Sequence, residues 1–300
     1  MPLLQATNRH HANVLPDQLA PSASPASFSD FQQQIQQEFV VGSAIAPALF
    51  TAAVEVVPDL VEQPGGEVET PIHNALNWQY SRFGHQAKAS LYGAILRNED
   101  GSCWQVKLSQ PLQDKRKDRL RKYETPVGNG SRAFLPPIPS DIQQRIAERY
   151  GLEPHPLGGE FWDWVAQHPE IPIIITEGGK KALALLSLGY VAIALYGVNG
   201  GYRKTFEGSR HLIEDLSRFT GHNRPVMLAF DQDEKADTRR QVITALFRFG
   251  ALLEASGSSV SIATWNGRDG KGVDDLIVKA GAAAWDSTYQ AALPLSLIHI

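Results

Sequence analysis

The stretch IPIIITEGGKKALALLSLGYVAIALYGVNGGYRKT, residues 171–205, begins with an apolar run that ends in the acid Glu177. Further along, PVMLAFDQDEKADTRRQVITALFRFG, residues 225–250, repeats this arrangement, and its apolar run ends in Asp231 and Asp233. Short apolar runs bounded by turn residues are typical of buried strands. Because helical spacing follows each run, the pattern predicts a parallel sheet covered by helices.

The pattern extends in both directions from these two runs. The predicted strands are 171–176, 190–195, 225–230 and 259–264, and the predicted helices are 179–188, one near 206–219, 238–255 and one opening at Val273. Four strands joined by crossover helices predict an α/β fold with a small, doubly wound, mostly parallel four-stranded sheet.

Three acids follow the ends of two predicted strands. Ligands bind at the carboxyl ends of the strands in such sheets, so Glu177 and Asp231 should emerge at the same edge. Asp231 and Asp233 would share one face of an extended segment. Carboxylates brought together repel one another unless a cation lies between them, and oxygen ligands suit Mg²⁺ or Mn²⁺. The alternative is that these acids only cap and enter helices.

Basic residues lie near the same predicted edge. The sequence TEGGKK does not have the spacing of a Walker loop, so nucleotide hydrolysis by that route is disfavoured. Gly178 and Gly179 instead allow a sharp turn into a helix whose first amides favour a phosphate oxygen. The candidate phosphate-binding cations are Lys180, Lys181, Arg203, Lys204 and Lys271.

Two further acids, Asp274 and Asp275, open the last predicted helix. They are possible additional site acids because the preceding GKG turn is expected at the same sheet edge. The alternative for Asp274 is a capping role at the start of that helix.

The upstream half differs in composition and in hydrophobic pattern. Residues 1–30 are rich in Pro, Ser, Ala and Gln, which predicts a flexible leader. A helical pattern over 31–61 includes the buried stretch Phe39–Val54, where we expect Ser43 to cap a helix. Short alternating runs over 78–137 predict a small α+β accessory domain, 31–140, with a hairpin turn at 98–101.

A basic cluster in this half is a second candidate for nucleic-acid contact. The cluster consists of 115–117, Arg119, Arg121 and Lys122; it lies near Tyr123, and together they could track a phosphate backbone beside a stacking aromatic ring. A solvated charged loop is the alternative. The segment 136–141 resembles a hinge, with Asp141 as the cap of the next helix, so the second domain is predicted at 141–292.

Composition limits the class of protein without deciding its function. The 300 residues are 43% hydrophobic, enough for a real core, and the net charge of −4 argues against a surface coated for nonspecific nucleic-acid binding. Cys103 is the single cysteine, so no intrachain disulfide can form. With no secretory signal and no apolar run long enough to span a bilayer, we expect a cytosolic protein that does not enter a membrane.

A strand ending in Glu-Gly, a helix, a Gly-rich loop and a strand ending in Asp-x-Asp resemble the Toprim domain of primases and topoisomerases. ITEGGKKALALLSLGYVAIALYGVNGGYR and LAFDQDEK resemble more closely the Toprim-like domain of unknown function in replication proteins of bacterial plasmids and mobile elements. The upstream stretch from NWQYSRFG to RAFLPP resembles the accessory region of that family, so the resemblance covers most of residues 30–290.

The resemblance implies a Mg²⁺-dependent nucleotidyl or phosphoryl transfer on nucleic acid. Glu177 would be a general acid/base or metal ligand, and Asp231 and Asp233 would hold the metal. The implied partners are single-stranded DNA, nucleotides and a helicase-type ATPase downstream. Lys181 departs from the family, since primases usually place an acid four residues after the strand-end Glu. The alternative that follows from Lys181 is a site that binds nucleic acid without making primer.

Two alternatives to a primase-like replication protein stay open: a noncatalytic module that binds nucleic acid or a partner, and a Toprim-type nuclease. The end of the sequence, 293–300, has no pattern that links it to the predicted fold. We therefore expect this tail to be non-native and the chain to be a fragment.

Overall fold

The computed structural model describes residues 25, 27–78, 87–114, 119–155, 159–232 and 236–298. Its first half contains a helical layer on an antiparallel sheet. The elements are α1 (Phe28–Gln36), a π-helical turn (Gln37–Val41), α2 (Pro47–Ala53), β1 (Val54–Pro58), β2 (Val61–Glu62), β3 (Val68–Glu69), α3 (Pro71–Ala75), β4 (Tyr92–Arg97), β5 (Cys103–Asp114) and β6 (Arg119–Glu124). The main sheet has the order β1-β4-β5-β6.

Two predictions for this half are tested directly. The hairpin turn after β4 is confirmed, because β4 and β5 pair antiparallel across it. The prediction that the helical pattern continues to residue 61 is wrong, since Val54–Pro58 is a strand paired with β4. The β-branched residues in VEVVP favour the extended backbone, and pairing with a buried strand overrides the helical spacing.

The second half alternates helices and strands. The elements are α4 (Ser140–Tyr150), α5 (Phe161–Gln167), β7 (Ile173–Glu177), α6 (Gly179–Ser187), β8 (Ala192–Leu195), β9 (Tyr202–Lys204), β10 (Arg210–Leu212), α7 (Glu214–Ser217), β11 (Pro225–Leu228), α8 (Ala236–Ala255), β12 (Ser259–Ile262), α9 (Val273–Ala280), α10 (Ala282–Gln290) and β13 (Leu293–Pro294).

The sheet of this half has the order β13-β12-β11-β7-β8. The four predicted strands, β7, β8, β11 and β12, run parallel, which confirms the doubly wound α/β fold. β7 lies between β11 and β8, and Ile173, Ile174 and Ile175 are almost completely buried, as expected for a strand covered by helices on both faces. The chain leaves β7 for β8 on one side and later returns to β11 on the other, which creates a switch point at the carboxyl end of β7.

The helix predicted near 206–219 is wrong over most of its length. The turn that follows β9 and the strand β10, which pairs antiparallel with β9, occupy its first half, and only Glu214–Ser217 is helical. Phe206, expected on the apolar face of that helix, lies fully exposed at the tip of the hairpin. Gly208 there has φ +87°, in the left-handed region that glycine favours, and such a residue ends helical geometry.

One apolar core runs through both halves of the molecule. Phe134 forms a backbone bridge to Ala194 beside β8, with a 2.8 Å hydrogen bond from the Phe134 N–H. Trp104 of β5 stacks between Phe134 and Tyr196, with ring centres 4.7 and 4.9 Å away. The antiparallel sheet is therefore fixed against the carboxyl edge of the parallel sheet. The boundary proposed at residue 140 stays a prediction.

The chain segment after α10 lies against the parallel sheet. β13 pairs antiparallel with β12 and adds a fifth strand, and Leu295 is buried against Gly250. That residues 293–300 are non-native stays a prediction. Among the helices that the structure describes, none is both long enough and apolar enough to cross a bilayer.

Candidate functional site

The turn between β7 and α6 sets the position of the first site residues. Gly178 has φ +85°, a conformation that L side chains rarely adopt, and its N–H donates to the carbonyl of Leu195 on β8 at 3.0 Å. A Cβ on Gly179 would lie 2.4 Å from Leu96 Cδ2. The two glycines thus allow a tight turn under the antiparallel sheet, which leaves Glu177 at the strand end and Lys180 and Lys181 in the first turn of α6.

The structure brings two of the three predicted acids together across the switch point. The backbone N–H of Asp231 donates to Glu177 Oε1 at 3.4 Å. Burial, and then the Asp231 carboxylate, raise the pKa of Glu177 above its ordinary value, while Lys181 and Lys271 act in the opposite direction. Asp233 lies outside the described residues.

Two lysines neutralise Asp231. Lys181 Nζ lies 2.9 Å from Asp231 Oδ1, as an ion pair rather than an aligned hydrogen bond, and Lys271 Nζ lies 3.6 Å from Oδ2. Burial alone would lower the pKa of Lys181, but Asp231, Asp274 and Glu177 outweigh it, so the pKa is raised and the group keeps its charge. The ammonium of Lys181 therefore stabilises the carboxylates gathered at this edge.

Asp274 belongs to the same group of charges, and the capping role considered for it is wrong. The residue at the cap of α9 is Gly272, whose N–H donates to Asp275 Oδ2 at 3.0 Å, so Asp275 closes the helix start. Asp274 is buried and accepts a hydrogen bond from Ser43 Oγ at 2.9 Å. Ser43, expected to cap a helix, instead holds a site carboxylate, and α2 begins after Ala46.

Glu38 and Lys107 take part in the charge network around the site, although the sequence pattern did not indicate them. Glu38, on the π-helical turn, pairs with Lys107 of β5 and, at 3.1 Å, with Lys180. Burial alone would raise the pKa of Glu38, but the two lysines outweigh it and lower the pKa. The available signals were a single acid among the glutamines before Phe39 and a lysine between Val106 and Leu108.

A cleft of about 740 Å³ between the two sheets is lined by the turn Glu177–Lys181 and by Asp231, Lys271 and Asp274. One wall is β6, which contributes Arg121, Lys122 and Tyr123, and the other is the turn from Glu177 to Lys181. The part of the predicted basic cluster at Lys115–Lys117 lies outside the described residues. The cleft is accordingly rich in cations at its walls and holds carboxylates at its base.

Two predicted phosphate-binding residues lie elsewhere. Arg203 and Lys204 line a separate cavity of about 680 Å³ on the other side of β9, together with Arg132 and Asp215. The Arg203 guanidinium donates to the carbonyl of Ser131 at 2.9 Å and is engaged with the chain itself. The structure thus separates these two residues from Lys180, Lys181 and Lys271.

The described side chains, which do not include the predicted ligand Asp233, do not by themselves form a site for the predicted divalent metal. Both oxygens of Asp231 face ammonium groups. Within the described ranges, no three His, Cys, Asp or Glu side chains lie close enough together to hold a metal ion. The arrangement instead suits an anion, since lysines and the amide end of α6 converge on one cleft.

Comparisons with known proteins give a family match over the second half. We expected similarity to a domain-of-unknown-function family over most of residues 30–290, and residues 161–284 match the family described as Domain of unknown function (DUF3854). An uncharacterized protein of Picosynechococcus sp. (strain ATCC 27264 / PCC 7002 / PR-6) is 40% identical over 213 residues, which cover 68% of this chain and 21% of that protein. The chain therefore spans about a fifth of the length of this relative.

Two solved primase structures are similar at low identity. The Escherichia coli primase catalytic core is 15% identical with a TM-score of 0.47, over 90% of this chain and 75% of that one. The RNA polymerase domain of Mycobacterium tuberculosis primase DnaG, solved with double-stranded DNA that has a 6-nucleotide overhang, is 18% identical with a TM-score of 0.48, over 91% and 76%. The family match itself contains Glu177, Lys181, Asp231 and Asp274.

Proposed function

We propose that this chain binds the phosphate backbone of single-stranded DNA in the cleft between its two sheets, as part of a DNA replication protein. The observation that carries the proposal is the convergence of cations from three separate elements: Lys122 on β6, Lys180 and Lys181 on α6, and Lys271 before α9. The whole chain has a net charge of −4, so this concentration of positive charge is local. Local positive charge is what recognition of a phosphate backbone requires.

Two further features support single-stranded nucleic acid over a small anion. The walls of the cleft come from both sheets, and Tyr123 lies on the wall opposite the Glu177–Lys181 turn. An aromatic ring beside a basic track is typical of single-strand binding, because bases stack on it without regard to sequence. The resemblance of the Glu-Gly and Asp-x-Asp motifs to Toprim domains supports a replication role in the cytosol of a plasmid- or element-bearing bacterium.

A charge-matched pair of variants tests this proposal. K122Q/K271Q removes two cations from the cleft, and K204Q/K279Q removes two from outside it, so both have the same net charge. A plot of log affinity against log salt falls with a negative slope, and each lost phosphate contact should reduce the magnitude of that slope by about 0.7 for single strands. We expect the first variant to lose about 1.4 in slope and the second to match the parent, by fluorescence anisotropy with a labelled single-stranded oligonucleotide. Equal losses in both variants would reject the cleft as the binding site.

Primase-type nucleotidyl transfer is a second candidate, favoured by one observation. Glu177 lies at the switch point, and burial raises its pKa above the ordinary value, the direction that favours proton transfer by a carboxyl group. Primer synthesis on a single-stranded template with Mg²⁺ or Mn²⁺, lost in Glu177→Gln and Asp231→Asn, would establish it. Nicks in supercoiled DNA under the same conditions would indicate a nuclease, and binding without synthesis or nicks would indicate a noncatalytic module. A helicase-type ATPase as partner belongs to the same proposal.

A further inference from the structure

The ammonium group of Lys181 pairs with Asp231, one of the carboxylates predicted to hold a divalent cation. Its Nζ is 2.9 Å from Asp231 Oδ1, and the charges of Glu177 and Asp274 also act on it. Only 18% of the Lys181 side chain is exposed. Asp231 is therefore paired with an ammonium group that belongs to the protein itself.

The surroundings hold Lys181 in this position. Gly272 leaves the space that the side chain occupies, because a Cβ there would lie 2.4 Å from Lys181 Cε and 2.6 Å from Asp274 Oδ1. Asp274 is fixed in turn by the hydroxyl of Ser43. A lysine in the first turn of a buried helix, packed against a glycine and a fixed carboxylate, is more restricted than a surface lysine.

Two lysines offset most of the negative charge of the described site carboxylates. Glu177, Asp231 and Asp274 supply up to three negative charges, and Lys181 and Lys271 supply two positive charges next to Asp231. A divalent ion on Asp231 would be repelled by both ammonium groups, and it would have to displace Lys181 from a partly buried ion pair.

We propose that Lys181 is a fixed internal cation that takes the place of a divalent metal, so that the cleft binds nucleic-acid phosphates without Mg²⁺. The nucleic-acid part rests on the function proposed above. The part that concerns Lys181 does not depend on that function, because it predicts how tightly the site carboxylates bind metal ions once the lysine is removed.

Mn²⁺ binding by the full chain, followed by electron paramagnetic resonance, tests the role of Lys181. The parent and Asp231→Asn should bind Mn²⁺ equally weakly. Lys181→Gln should gain one site at least about tenfold tighter, and K181Q/D231N should lose it again, since the adjoining carboxylates of Asp231 and Glu177 are then two uncovered hard oxygen ligands. Tight binding to the parent that Asp231→Asn abolishes would overturn the proposal, whether or not the Lys181→Gln protein folds. A folded Lys181→Gln protein that gains no site would also overturn it.

A second measurement addresses the phosphate. At matched ionic strength, the parent should bind a single-stranded oligonucleotide with equal affinity in EDTA and in Mg²⁺, and a requirement for Mg²⁺ would contradict the proposal. If the parent binds no DNA in either buffer, the proposed function fails, and the Mn²⁺ measurement alone decides whether Lys181 replaces the metal.

Discussion

Single atoms decide how the site is arranged. Gly178 and Gly179 allow the backbone to turn from β7 into α6 beneath Leu96, and only that turn places the Glu177 carboxylate within 3.4 Å of the Asp231 amide. Gly272 makes room for Lys181, because the lysine side chain passes through the space that a Cβ at position 272 would fill. The positions of the charged groups in the site thus depend on these glycines as well as on the charged residues themselves.

Gly272→Ala tests this at the residue scale. Gly272 has φ −94°, which alanine adopts without strain, so the added methyl group acts only through its contacts with Lys181 and Asp274. We expect a loss of stability of about 1 to 3 kcal/mol and a fall in affinity for single-stranded DNA of about tenfold, as Lys181 is displaced. Thermal unfolding and fluorescence anisotropy measure the two effects.

Gly65→Ala is the matched control, because no atom lies within 4 Å of a Cβ built there. It should leave DNA affinity at the parental value. Parental affinity in Gly272→Ala as well would show that the position of Lys181 does not matter for binding.

At the scale of elements, the N-terminal helical layer takes part in the site. The π-helical turn presents Glu38 to Lys107 and Lys180, and the loop before α2 presents Ser43 to Asp274. π-helical turns occur often at functional sites, where they re-aim a side chain. The accessory half therefore supplies the partners that hold one cation and one carboxylate of the cleft.

Glu38→Gln tests this contribution and has a defined pH dependence. Removal of the carboxylate leaves the Lys107 ammonium buried without its partner, and we expect a loss of about 2 kcal/mol at pH 7. The lysines lower the pKa of Glu38 below its ordinary value of 4.5, so the stabilisation is complete above that pH and is lost as the pH falls through the lowered pKa. The gap between parent and variant in chemical denaturation should therefore close in acid.

Glu55→Gln is the control in the same half of the chain. Its ion pair with Arg97 is exposed on both sides, so the loss should be below about 1 kcal/mol. If the loss in Glu38→Gln were no larger than this and did not change with pH, the Glu38 network would have no structural role.

At the scale of the whole molecule, the sequence predicts the parallel sheet well and the link between the halves poorly. The apolar runs that end in Glu177 and Asp231 define β7 and β11, and strand order alone brings these acids to one edge. The contacts of Ser43 with Asp274 and of Glu38 with Lys180 join residues 231 and 142 positions apart, and no local pattern encodes such a pairing.

Tertiary contacts that no local pattern encodes also account for the wrong predictions. Helical spacing in 206–219 reflects residues that pack from a hairpin and a short helix, because tertiary contacts override periodicity in a segment with a turn glycine. Arg203 and Lys204 were grouped with the site by sequence proximity, and β9 carries them to the opposite cavity. Predictions for Asp233 and for Lys115–Lys117 fall outside the described residues.

A crystal structure of the full chain with a short single-stranded oligonucleotide, grown in EDTA, tests the central claim most directly. The account predicts backbone phosphates in the cleft between β6 and the Glu177–Lys181 turn, in contact with Lys181 or Lys271 and with a base against Tyr123. An oligonucleotide seated instead in the cavity of Arg203 and Lys204, with the cleft unoccupied, would contradict it.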